Sequence, residues 1–304
     1  MKAIPILVLC VSMFSVTRTF AQQEAMFTQY MFNGLAINPA YAGSHRTLSV
    51  TALARIQWTG VEGAPATQTL SLHTPLGNRR VGLGVQIMHD EIGVTNQTGA
   101  YNAYSYRIPF QNGGQLYFGI QAGFSSYSAR FSQVSDTDPT FAGADIREIQ
   151  PNFGGGLFYH TASFYLGFSV PQLIQNTIDK HNPDSDSKLL RHYFFASGYV
   201  FSLDRNLKLK PNILVKAVAG APVQIDLNVS LLMNEILWAG LSWRSFDSID
   251  ALLQLQLTDK FQFGYAYDFA TTSELRRINA GSHEIMINYR VIRKHSRIKT
   301  PRYF

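Results

Sequence analysis

Lys260-Phe261-Gln262-Phe263-Gly264-Tyr265-Ala266-Tyr267-Asp268-Phe269 decides the fold. Every second residue from Phe261 to Phe269 is aromatic, and the residues between are polar or small. A period of two is that of a β-strand, whose successive side chains point to opposite faces. Working outward, Ile249, Ala251, Leu253, Leu255 and Leu257 alternate with Asp250, Gln254, Gln256 and Thr258. Val223 to Leu231 repeats the pattern around Gln224, Asp226, Asn228 and Ser230, and Leu116, Phe118, Ile120 and Phe124 repeat it around Tyr117, Gly119, Gln121 and Gly123.

Carried along the chain, the alternation predicts strands near 47–58, 66–74, 80–89, 97–108, 115–127, 151–160, 163–170, 191–203, 207–217, 223–232, 235–245, 249–257, 260–269 and 281–291. Most match the roughly 9–11 residues a tilted strand needs to cross a bilayer and exceed the ~5–6 of soluble sheets. Backbone groups in lipid must pair within the protein, so such strands close into a ring. The expected fold is therefore all-β: a transmembrane antiparallel up-and-down β-barrel of about 14 strands over 47–291. The alternative, a soluble β-sandwich, also alternates but rarely needs so many long strands. Tyr193, Tyr199, Trp243, Tyr265, Tyr267 and Tyr289 suit interfacial girdles.

The even-numbered connections, such as Pro75–Arg79, Asp204–Asn206 and Thr258–Asp259, are short. Among the odd-numbered ones, Ser128–Gln150, Pro171–Leu190 and Ala270–Ala280 are long and polar, although Gly220–Pro222 and Phe246–Ser248 are brief. Bacterial barrels keep short turns in the periplasm, so this parity predicts a bacterial outer-membrane location with both termini periplasmic.

Lys2, an apolar run from Ala3 to Val16 and Thr19-Phe20-Ala21 read as a cleavable signal peptide over 1–21, too short for a spanning helix. Leu9 is too bulky to precede a lipid-attachment cysteine at Cys10, and removing the leader removes the chain's single cysteine, excluding disulfides and thiolate metal sites. The sequence is 13% aromatic and 15% charged, charge-poor for a soluble protein. Its net charge of +6 owes most to Arg290, Arg293, Lys294, Arg297, Lys299 and Arg302. The basic character therefore marks a tail, read as a periplasmic segment over 292–304, and argues against a nucleic-acid partner.

Inward positions are mostly Gly, Ser, Gln, Asn and Thr with isolated charges, Asp226, Asp250, Asp268, Glu284 and Arg290, and no dense ladder of opposed charges. A fourteen-stranded lumen is wider than such side chains fill, which leaves a water channel or room for a plug. Residues 22–46, with Tyr30, Phe32, Asn33, Asn38, Pro39 and Tyr41, form either that plug or a periplasmic cap. The histidines show no H-x-x-H or H-E-x-x-H spacing, and His89-Asp90 has no accompanying G-x-S-x-G nucleophile. No enzymatic activity, metal or cofactor is expected. Gly82-Leu83-Gly84 and Gly154-Gly155-Gly156 lie inside strands and read as inward packing glycines.

Gln29-Tyr30-Met31-Phe32-Asn33, Ile37-Asn38-Pro39-Ala40-Tyr41-Ala42-Gly43, Arg55-Ile56-Gln57-Trp58, the QTLSLHTP stretch from Gln68 to Pro75, and Gly82 to Gly93 form one set of motifs. Lys210-Pro211, Gly220-Ala221-Pro222, Tyr265-Ala266-Tyr267-Asp268, Gly281-Ser282-His283-Glu284-Ile285 and Pro301-Arg302-Tyr303-Phe304 complete it. With these the chain resembles, over nearly its whole mature length, the PorP/SprF family of outer-membrane proteins of the type IX secretion and gliding-motility apparatus. Trp243 departs from the pattern, standing where the family suggests tyrosine. The resemblance implies a non-enzymatic barrel that helps a secreted substrate or cell-surface adhesin cross the outer membrane or stay anchored to it, or that docks periplasmic ring lipoproteins. The partners it implies, beside outer-membrane lipid, would meet the long loops outside and the tail inside. Tyr30, Phe32, Asn33, Asn38, Pro39 and Tyr41 are the plug or partner-binding candidates, with Arg293, Lys294, Arg297, Arg302, Tyr303 and Phe304 in the tail. The small polar interior keeps open a second reading, a passive or selective channel for small solutes.

Overall fold

Along the strands the exposed side chains are mostly apolar and most of the polar ones are buried, the reverse of a water-soluble protein. In Phe261–Ala270 the residues Gln262, Gly264, Ala266 and Asp268 are buried, and the aromatics between them face outward. Ile120, Leu241 and Ile149 are 64%, 65% and 67% exposed, whereas Ser49, Thr67, Gln150, Asp250 and Glu284 are at 0%. A surface of this kind is stable against hydrocarbon and not against water.

The computed structural model describes residues 24–45, 47–77, 80–133, 145–178, 188–272, 277–291 and 303. The strands are β1 (Leu48–Ile56), β2 (Ala66–Leu76), β3 (Val81–Ile92), β4 (Thr95–Pro109), β5 (Gln115–Ala129), β6 (Ile146–His160) and β7 (Phe164–Val170). They continue as β8 (His192–Tyr199, resuming as Phe201–Ser202), β9 (Leu207–Val218), β10 (Gln224–Met233), β11 (Leu237–Arg244), β12 (Ser248–Gln256), β13 (Phe261–Ala270) and β14 (Ser282–Val291). Each pairs antiparallel with its neighbours in sequence, and β1 pairs with β14 from Leu48↔Val291 to Ile56↔His283, so the fourteen strands close into a ring without an open sheet edge around the circuit. Among the described residues no helix is long and apolar enough to cross a membrane; the chain crosses with strands.

The strand expected over 191–203 is interrupted at Val200. In that register Val200 faces Lys210 and the preceding Tyr199 faces Pro211, which has no N–H for the ladder; pairing resumes unchanged at Leu209↔Phe201. The expected loop Ser128–Gln150 is shorter than read, because β5 runs to Ala129 and β6 begins at Ile146. Pro151 is tolerated in β6 because β7 reaches only Gly155↔Val170, leaving no further strand on that side. Between Ile92 and Thr95 the turn has only two residues, with Gly93 at φ +57°.

The even-numbered connections gather at one end of the ring, the short-turn end; the three long loops lie at the other, the long-loop end. β1 starts and β14 finishes at the short-turn end. Glu24 does not: it meets Gln172, His192 and Lys216 at the long-loop end. The expectation that both ends of the mature chain share a side therefore fails for the first described residues, because the segment before β1 runs the length of the lumen.

Candidate functional site

Residues 24–45 contact the inner wall on all sides of the ring. The segment folds as three single 3₁₀ turns, Tyr30–Phe32, Gly34–Ala36 and Pro39–Tyr41, short units that suit a path bent at each wall contact. Asn38 caps the last turn, its Oδ1 accepting from Ala40 N at 2.9 Å, with Pro39 supplying the first helical residue. The Asn38 Nδ2 donates to Leu157 O at 2.9 Å, tying the cap to the wall.

This segment lies, by backbone or side chain, against strand positions that lack a Cβ. A Cβ at Gly119 would fall 2.1 Å from Ala40 N, one at Gly82 2.2 Å from Ala42 O, one at Gly156 2.2 Å from Asn38 Oδ1, and one at Gly264 2.1 Å from Gln29 Oε1. These glycines, two of them within the triplets read as inward packing glycines, form the track on which the segment lies. The expected residues fall along it. Tyr41 packs its ring 5.2 Å from Phe158 with its hydroxyl 3.0 Å from His45 Nε2, Asn33 reaches Thr69, and Phe32 meets Trp238 edge-on at 6.1 Å. Cavities of about 30 Å³, lined by Tyr30, Met31, Asn38, Tyr41 and Phe158, and about 20 Å³, beside Glu24, lie between segment and wall. Each has room for a water or two.

At the long-loop end the segment is pinned by buried charge. Glu284 accepts the backbone amides of Thr28 and Gln29, both at 2.8 Å. The Thr28 hydroxyl donates to Asp268 at 2.9 Å and accepts from Arg55 at 2.9 Å and Arg244 at 3.2 Å, which uses its full hydrogen-bonding capacity. Arg55 pairs with Asp268 at 2.6 Å and Glu284 at 3.3 Å. Arg244 pairs with Asp226 at 3.1 Å, Asp247 at 3.2 Å, Asp250 at 3.6 Å and Asp268 at 3.8 Å. The sequence reading of isolated inward charges is thereby corrected: Asp226, Asp250, Asp268 and Glu284 converge with Arg55 and Arg244 in one network. Period-two alternation showed each as inward, but only closure of the ring brings them to one height. Arg290 sits at the other end, its Nη2 3.1 Å from His45 Nε2.

Of the tail, Tyr303 is described, at the short-turn end against Lys208, Lys210 and Glu235; Arg293, Lys294, Arg297, Arg302 and Phe304 lie outside the described residues. His89 and Asp90, adjacent in sequence, point to opposite faces: His89 to Thr98 at 2.8 Å and Asp90 to the Thr67 hydroxyl. Thr28, Arg55, Arg244, Lys210 and the track glycines were not singled out as site residues. Glycine at an inward strand position, and opposite charges near strand ends of like parity, were the signals available.

A closed ring of antiparallel strands, apolar outside and polar within, is an outer-membrane β-barrel. The CymD monoaromatic hydrocarbon channel matches at a TM-score of 0.53 and 11% identity, over 87% of this chain and 94% of that one. The outer membrane protein Omp33 of Acinetobacter baumannii matches at 0.44 and 10%, over 81% and 98%, and a Pseudomonas aeruginosa FadL homologue at 0.44 and 12%, over 80% and 89%. No curated protein matches the sequence. Residues 19–289 match the model of the type IX secretion system membrane protein PorP/SprF, and the chain belongs to that family.

Proposed function

We propose that this barrel is a non-enzymatic docking and anchoring subunit of type IX secretion, binding a secreted substrate or surface adhesin, with its lumen stoppered by its own residues 22–46. The observation that carries the reading is the pinned luminal segment: residues 24–45 occupy the space a solute would cross, held at Thr28 by Glu284, Asp268, Arg55 and Arg244. With the lumen filled, the surfaces left for partners are the long loops around 130–145 and 171–191 and the basic tail over 292–304. In this reading residues 1–21 are removed as a signal peptide, the long loops face outside, and the tail lies in the periplasm, where ring lipoproteins are within reach. Deleting the gene and measuring the surface proteome tests the role: at least one type IX substrate is lost from the surface, and unchanged display of every such substrate refutes it.

A second reading, a channel for small solutes, is favoured by the polar inner wall and by the name of one structural neighbour, a hydrocarbon channel. Planar-bilayer recordings separate the two. Large steady openings of the unmodified protein support the channel, and a quiet barrel supports the stopper.

A further inference from the structure

The short-turn mouth holds a lysine in surroundings that lysines seldom occupy. Lys210 is fully buried on the inner face of β9, and its Nζ lies 5.1 Å from the ring centre of Phe32, 5.6 Å from Trp238 and 5.7 Å from Tyr165. Aromatic faces attract an ammonium, yet they are poor substitutes for the oxygen acceptors its three N–H groups require. One such acceptor is the backbone carbonyl of Tyr303, 93 residues further along the chain. The rest of Tyr303 is engaged as well. Its hydroxyl donates to Glu235 at 3.2 Å and accepts from Lys208, and Lys208 pairs with Glu235.

We propose that the short-turn mouth is a binding site for a tyrosine-bearing peptide segment and that its occupant is this chain's own carboxy-terminal tail. Two chemically different contacts define the residue accepted: a buried ammonium for the peptide carbonyl, and a carboxylate with a second ammonium for the phenol. Phenylalanine or leucine would lose the second. One wall of the lysine cage, Phe32, belongs to the luminal segment, and the others, Tyr165 and Trp238, to β7 and β11. The site is thus complete only when residues 24–45 are in place, and the two ends of the chain form one stopper. This inference stands whether or not the barrel serves secretion.

The test uses the full-length protein in native membranes with p-benzoylphenylalanine incorporated at Phe304, so that Tyr303 keeps its phenol. After irradiation and digestion the expected cross-links fall on Lys208–Lys210, on the turn from Met233 to Ile236, or on Phe32. Lys210→Met and Phe32→Ala each lower the yield at least tenfold, whereas Arg205→Ala in the neighbouring exposed turn leaves it unchanged. Retention of the folded-barrel gel mobility without boiling identifies the variants that can be scored. A free peptide of residues 297–304, added in millimolar excess because it must compete with a tethered tail, lowers the yield in the protein without cage substitutions. Cross-links confined to other proteins or lipid, parental yields in folded Lys210→Met and Phe32→Ala, or indifference to the peptide would each overturn the proposal.

Discussion

Replacing Glu284 by alanine should unseat the luminal segment without dismantling the barrel around it. The carboxylate accepts two backbone amides, those of Thr28 and Gln29 at 2.8 Å, and the substitution leaves both buried donors without it. Hydrogen bonds to a charged group contribute about 1.5–3 kcal/mol each. Arg55 also loses a partner at 3.3 Å, but it keeps Asp268 at 2.6 Å, so the full cost of an orphaned buried cation does not apply. The lower end of the range is therefore the appropriate one, about 3 kcal/mol against the seated state. At tenfold per ~1.4 kcal/mol, the unseated population rises by roughly two orders of magnitude. The barrel wall is spared because the β1–β14 ladder runs through backbone groups that the substitution leaves in place. Planar-bilayer recording of the full-length protein reads this as open probability. The unmodified barrel should be closed almost throughout, Glu284→Ala should open about a hundredfold more often, and Glu284→Gln, which retains one carbonyl acceptor, should fall between. Equal open probabilities for unmodified and Glu284→Ala proteins, both with folded-barrel mobility, would show that the segment is not held by this contact.

Gly119→Val places side-chain atoms in the backbone of Ala40 and should destabilise the seated segment by about 1–3 kcal/mol; the temperature at which gel mobility shifts should fall, whereas Gly155→Ala, with only Gly119 O at 3.5 Å, should leave it unchanged. Arg244→Met strips the shared partner from Asp226, Asp250 and Asp268 and should cost about 3–5 kcal/mol in urea unfolding from lipid vesicles. Arg244→Lys should restore little of it, since a single ammonium cannot reproduce the planar fork. Leu241→Arg puts a charge on the outward face and should cost roughly 2–4 kcal/mol in the same assay if that face meets hydrocarbon near the bilayer midplane; a neutral result would contradict a lipid-facing surface there.

What the sequence disclosed, and what it withheld, follows from the range of the interactions involved. The alternation of Phe261, Phe263, Tyr265, Tyr267 and Phe269 is a local property, legible wherever one face of a strand meets lipid and the other a polar interior. Strand limits were less legible because Ser128, Arg147, Glu148 and Gln150 have loop-like composition, yet the chain pairs there at a height where composition is no longer set by hydrocarbon. The Pro211 interruption needed the opposite strand in view. The buried network was least legible of all. Glu284 and Arg55 are 229 residues apart and meet only because β1 and β14 are neighbours across the closure of the ring. That same closure explains why a segment preceding the first strand can be held by the last: Thr28 bonds to Glu284 and Arg55 on the two strands that complete the barrel, so the residues beside the closing seam also hold the segment. A partner that displaced Thr28 from Glu284 would therefore act on the contacts beside the closing seam.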